Sequence, residues 1–113
     1  MRVRTTEIKL GTIEDLKKEV LKEGKGRGGR HVIYVPDTSV LSKILSPRRI
    51  ELLKTIRENP GMGVGELAKL LKRKQESVSR DIAFLRSWGI IETGFEDRKL
   101  VTKTMPGKVV IEI

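Results

Sequence analysis

Between Ser46 and Gly89 the sequence is cut by helix starts and stops into three short amphipathic stretches, and a segment so punctuated cannot form one long helix. Ser46-Pro47 opens the first, since a serine hydroxyl caps the first turn and proline suits the first helical position. Ile50, Leu53 and Ile56, with Leu52, form its apolar stripe up to Glu58, and Asn59-Pro60-Gly61 ends it. The second runs from Gly63 or Val64 to Lys72, with Val64, Leu67, Ala68, Leu70 and Leu71 at helical spacing. Arg73-Lys74 makes a short turn. The third covers Gln75 to Trp88, with Val78, Ile82 and Leu85 at i, i+4 and i+7, and Gly89 stops it.

Two strands follow, Ile90-Ile91-Glu92-Thr93 and Lys99-Leu100-Val101-Thr102-Lys103, around a polar tip from Gly94 to Arg98 that suits a hairpin. Two short helices joined by a tight turn form a helix-turn-helix, whose second member enters the DNA major groove, and the hairpin supplies a wing. Asp37 caps a further short helix that carries Val40, Leu41, Ile44 and Leu45. The fold class expected is α+β, mainly helical: a winged helix-turn-helix over residues 37–113 behind a strand-helix-strand extension over residues 1–36. In that extension Glu7 to Leu10 reads as a strand, and Gly11 or Thr12 caps a helix with Ile13, Leu16, Val20 and Leu21 on one face. His31 to Val35 reads as a second strand, stopped by Pro36. The segment Gly24-Lys25-Gly26-Arg27-Gly28-Gly29-Arg30 is read as a flexible basic loop. Lys108 to Ile113 closes the chain as a strand that pairs either with the N-terminal segment or with a partner chain.

The composition narrows the function. In 113 residues, 24 Lys and Arg against 15 Asp and Glu give a net charge of +9, the balance expected of a nucleic-acid binder. Acidic membranes and acidic proteins attract such a chain as well, so charge alone does not choose among them. There is no cysteine, which removes disulfides and thiolate chemistry. No stretch approaches a membrane span or a signal peptide, so the expectation is a cytoplasmic protein without a membrane partner. His31 is the single histidine, so no His-based triad or metal cluster can be assembled. The expectation is a non-enzyme with no cofactor and no metal. Asn59 and Gln75 are the only amides in a chain that is 35% charged, a bias found in proteins from hot environments.

With Val78, Ile82 and Leu85 turned to the core, the third helix presents Gln75, Glu76, Ser79, Arg80 and Ala83 on its opposite face, behind Lys72, Arg73 and Lys74. Such a face is either merely solvated or a contact surface. Residues 72 to 86 hold five cations and two acids, and Arg98, Lys99 and Lys103 on the hairpin follow, as expected if both elements flank one DNA backbone. Arg73, Lys74 and Ser77 with the helix N-terminus can hold phosphates. Arg80 can grip a guanine edge bidentately, and Gln75 suits adenine. Asp81 is expected to be structural, paired with Arg80, Lys74 or an arginine of the first helix, and Phe84 and Trp88 are expected in the core.

The runs Leu45-Ser46-Pro47-Arg48-Arg49-Ile50-Glu51-Leu52-Leu53, Val64-Gly65-Glu66-Leu67-Ala68, Val78-Ser79-Arg80-Asp81-Ile82 and Leu85-Arg86-Ser87-Trp88-Gly89-Ile90-Ile91-Glu92 resemble archaeal and bacterial winged-helix regulators of the broad MarR/ArsR-like group. The resemblance covers residues 37 to 113. It implies DNA binding by a homodimer with Ser79 and Arg80 in the recognition helix, and for members of antitoxin type it implies a toxin partner. Trp88, where the group usually has a smaller aliphatic residue, and the loop at 24 to 30 depart from the shared pattern. The apolar segments Val109 to Ile113 and Ile13 to Leu21 also point to dimerisation.

Other readings keep their place. The glycine-rich loop lacks the Gly-Lys-Ser/Thr ending of a nucleotide loop, although its Arg-Gly-Gly character can touch nucleic-acid backbones. Asp15 with Glu19 and Glu96 with Asp97 lie on a polar helix face and a turn and offer no pocket chemistry. The alternatives to a sequence-specific double-stranded DNA regulator, a repressor by this reading, are a nonspecific DNA- or RNA-coating protein and a winged-helix protein-interaction module.

Overall fold

The computed structural model describes residues 1–12, 14, 17 and 30–112. The expected helix at Ile13 to Leu21, the glycine-rich loop ahead of Arg30 and the final Ile113 lie outside the described residues. In chain order the elements are β1 (Arg2–Leu10), β2 (Arg30–Val35), α1 (Thr38–Ile44), α2 (Pro47–Glu58), α3 (Val64–Leu71), α4 (Gln75–Ser87), β3 (Glu92–Glu96) and β4 (Lys99–Glu112). The described part is thus α+β, with four helices and one four-stranded sheet. None of these helices is long and apolar enough to cross a membrane.

Helix boundaries follow the local chemistry. The Asp37 carboxylate accepts from the Val40 N–H at 3.0 Å, and the Ser46 hydroxyl accepts from that of Arg49 at 3.3 Å with Pro47 in the first turn. Gly61, at φ +85°, lets the chain reverse after α2, and Gly89, at φ +74°, does so after α4.

The sheet order is β2-β1-β4-β3. β1 runs parallel to both β2 and β4, and β3 is antiparallel to β4. Pro106-Gly107 lies between the two strands expected at 99–103 and 108–113. They are one strand of 14 residues. The interruption is absorbed as a bulge: Arg4 pairs with Pro106 and Thr5 with Lys108, so Gly107 is the extra residue. A Cβ there would sit 2.3 Å from Val3 Cγ1, so glycine alone fits without a shift. β1 is likewise longer than expected and begins at Arg2, because β4 continues far enough to pair with it.

One core joins helices and sheet. Ile8, Val35 and Met105 from the strands meet Ile44, Leu52, Val78 and Leu85 from the helices, each at most 1% exposed, and Ile90 and Ile91 fill the joint between α4 and β3. Each such side chain contributes about 1.5 to 3 kcal/mol of burial. Phe84 and Trp88 are partly buried against this cluster, as expected.

Candidate nucleic-acid interface

α3, the turn Lys72-Arg73-Lys74 and α4 form the helical half of the site. Lys72 ends α3 in the left-handed region (φ +56°), and the Arg73 N–H donates to the Ala68 carbonyl at 2.9 Å, which closes the turn tightly. Asp81 then locks α4. Its carboxylate, 12% exposed, receives Arg73 at 2.5 Å and Arg49 of α2 at 3.3 Å. Arg49 also lies over the Phe84 ring, 4.0 Å from its centroid, and donates to the Lys43 carbonyl. The first-helix arginine expected for Asp81 is therefore Arg49; the other partner is Arg73 rather than Arg80 or Lys74.

That pairing redirects two of the expected contact residues. Arg73 is 13% exposed and spends its guanidinium on Asp81 and on the Ser77 hydroxyl, 2.9 Å away, so both Arg73 and Ser77 face inward and brace the turn. Lys72, Lys74, Gln75, Glu76, Ser79, Arg80 and Ala83 are all exposed. Among the described residues Lys72, Lys74 and Arg80 enter no ion pair, so their charges face solvent. Lys74 caps α4 without a side-chain hydrogen bond.

The hairpin is the other half. β3 continues through Gly94, Phe95 and Glu96, so the loop shrinks to Asp97 and Arg98, both left-handed at φ +50° and +67°. This is the two-residue geometry that normally selects Asn-Gly. An arginine held there is strained by about 1 to 2 kcal/mol, and such strain tends to persist where a side chain is needed. Replacing Arg98 with Gly is expected to raise stability by about 0.5 to 1 kcal/mol in chemical unfolding.

Lys99 ties the hairpin to α3. Its stem lies 3.3 Å from where a Gly63 Cβ would be, and its ammonium donates to Glu66 at 2.7 Å, while Glu66 also accepts from the Gly63 N–H at 3.5 Å. The Lys99 hydrogen bond, then the Gly63 N–H, hold the Glu66 carboxyl below its usual range, and the same contact raises Lys99. Lys103 donates to Glu96 at 2.6 Å, which lowers that carboxyl.

Helix and hairpin enclose a groove of about 540 Å³. Gln75 and Ser79 line it from α4, Val64, Gly65 and Glu66 from α3 with Gly63 just before it, and Phe95, Arg98, Lys99 and Leu100 from the hairpin. Lys103 is not brought into this groove but into a separate depression with Met1, Arg2 and Pro60. The sequence reading missed Phe95, which is 74% exposed, and Leu100, its cross-strand neighbour. The available signal was an aromatic residue inside a segment otherwise suited to a polar tip.

Comparison with known proteins bears on the same region. The HVO_A0114 family model matches residues 44–111, from the end of α1 almost to the end of β4. The chain belongs to the HVO_A0114 family. The HVO_A0114 match takes in the Asp81 lock and every residue lining the groove, and leaves β1 and β2 outside. A curated relative from Saccharolobus solfataricus, named "CRISPR locus-related putative DNA-binding protein Csa3", is 32% identical over 102 residues, covering 88% of this chain. The chain spans 43% of that protein, less than half its length. The wider kinship with MarR/ArsR-like regulators read from the motifs stays an expectation beside this family assignment.

Proposed function

We propose that this HVO_A0114 family chain is a sequence-specific, double-stranded DNA-binding transcriptional regulator of the winged helix-turn-helix type, acting as a repressor and not as an enzyme. In this reading α4 lies in the major groove, and the β3–β4 hairpin is a wing against the neighbouring phosphates. The observation that carries it is the shared groove, where Gln75 and Ser79 on α4 stand across from Arg98 and Lys99 on the hairpin. A helix face with amide and hydroxyl groups beside a cationic hairpin separates base reading from backbone holding. The net charge of +9, the strained Arg98 and the DNA-binding name of the Saccharolobus relative support the same reading.

The test is binding of the purified chain to duplex from its own upstream region, to duplex from a CRISPR locus, to scrambled duplex and to matched RNA, each at two salt concentrations. Preference for one duplex that survives the higher salt supports a specific regulator. Equal binding to all duplexes would replace it with a nonspecific coating protein. Absence of binding would leave a protein-interaction module, the reading favoured by the exposed Phe95. Within the specific reading, Lys99→Ala is expected to weaken every duplex alike and to reduce the salt slope by about one, as titration at several salt concentrations will report. Arg98→Gly is expected to weaken DNA binding while it stabilises the fold.

A further inference from the structure

Beyond Thr104, strand β4 has a described neighbour on one side only. β1 follows it as far as the Lys9–Glu112 pair, whereas β3 stops at the Glu92–Thr104 pair. Among the described residues, no strand pairs with the other edge of residues 108–112. Just before that stretch, the Gly107 carbonyl accepts from Arg57 of α2 at 3.2 Å. Beside the open edge lies a groove of about 260 Å³ between β4 and α2, with Val109 and Ile111 on one wall and Ile50 and Leu53 on the other. Ile111 remains 46% exposed, Ile50 38% and Val110 37%, so the apolar surface here is incompletely covered. An unpaired edge that carries Val-Val-Ile is a template for another strand, and proteins either blunt such an edge or use it.

We propose that this edge is covered by the same strand of a second copy of the chain, antiparallel about a two-fold axis through Val110. The sequence is complementary to itself in that register. With Val110 facing its counterpart, Lys108 falls opposite the partner's Glu112, and Val109 opposite the partner's Ile111. Directly opposite residues share a face of the sheet. One face then carries an unbroken apolar row that extends the α2 groove, and the other carries a valine pair flanked by two opposite-charge pairs. Centring on Val109 or Ile111 instead would set Lys108 or Glu112 against Val110. Slipping by one residue would turn the apolar row to the wrong face. Glu112 is available for the contact, because its side chain is 65% exposed and its ion pair with Lys9 is long, 3.8 Å.

The register is tested by a charge swap on the full chain, without nucleic acid, by sedimentation equilibrium. Lys108→Glu alone, or Glu112→Lys alone, sets like charges against each other at both ends of the pairing. Each is expected to raise the dimer dissociation constant about tenfold or more. In an equimolar mixture of the two variants, both pairs become complementary again, and heterodimers of nearly wild-type affinity are expected. A wild-type chain that stays monomeric at high concentration, single variants that dimerise like wild type, or a mixture that stays apart would each overturn the proposal. Should a charge variant fail to fold by circular dichroism, Val110→Cys serves in its place, since the chain has no cysteine of its own. The two-fold sets the two thiols opposite each other, so mild oxidation should link pairs at concentrations where exposed Glu58→Cys does not. Equal linking of both variants would overturn it.

Discussion

Asp81→Ala is expected to lower the stability of the chain by about 3 kcal/mol, measured by denaturant unfolding. The substitution leaves Arg49 and Arg73 facing each other, 20% and 13% exposed, with no anion between them. A charge kept from water without a partner costs more than the pair contributed, which is why removing one member of such a group outweighs removing the whole. Among the described residues the Nε and Nη1 atoms of Arg73 already lack hydrogen-bond partners, so this side chain has little to fall back on. A triple variant, Arg49→Met with Arg73→Met and Asp81→Leu, is expected to recover most of the loss. A triple variant as unstable as the single one would show that Asp81 acts through something other than its two arginines.

Arg80→Ala is expected to leave the fold intact and to remove about 1 to 3 kcal/mol of discrimination between the preferred duplex and a scrambled one. Arg80 neighbours Asp81 in α4, yet its exposed guanidinium meets no carboxylate among the described residues. Competition titrations of the variant against both duplexes will measure it. An equal loss on both would make Arg80 a phosphate contact and would move base reading to Gln75 and Ser79. The two adjacent substitutions are expected to separate the duties of one helix turn, the first lowering stability and the second lowering selectivity.

The helices were legible from the chain because their ends are set by local chemistry. Asp37, Ser46-Pro47, Asn59-Pro60-Gly61 and Gly89 act within a few residues of themselves, and the elements fall where those signals put them. The exposed face of α4 was legible for the same reason, since Val78, Ile82 and Leu85 fix which side of the helix is turned away. What escaped the sequence was non-local. That β1 lies between β2 and β4, parallel to both, depends on pairings across most of the chain. The continuation of 99–103 into 108–112 through Pro106-Gly107 escaped as well, because a bulge shows itself only beside the partner strand it fits. Arg73 and Lys74 look alike in a basic run, and only the position of Asp81, eight residues past Arg73 and held also by Arg49, turns one inward and leaves the other in solvent.

The unbroken course of β4 has a mechanical consequence. Its 14 residues, at about 3.3 Å each, make a strand roughly as long as the 44 Å longest dimension of the molecule. One end carries the hairpin, and the rest is clamped along β1. The hairpin is therefore the tip of a beam built into the body rather than a flap on a hinge. A load placed on β1 reaches the hairpin along β4, and the ladder is irregular at two points on the way, at Gly107 against β1 and between Thr102 and Thr104 against β3.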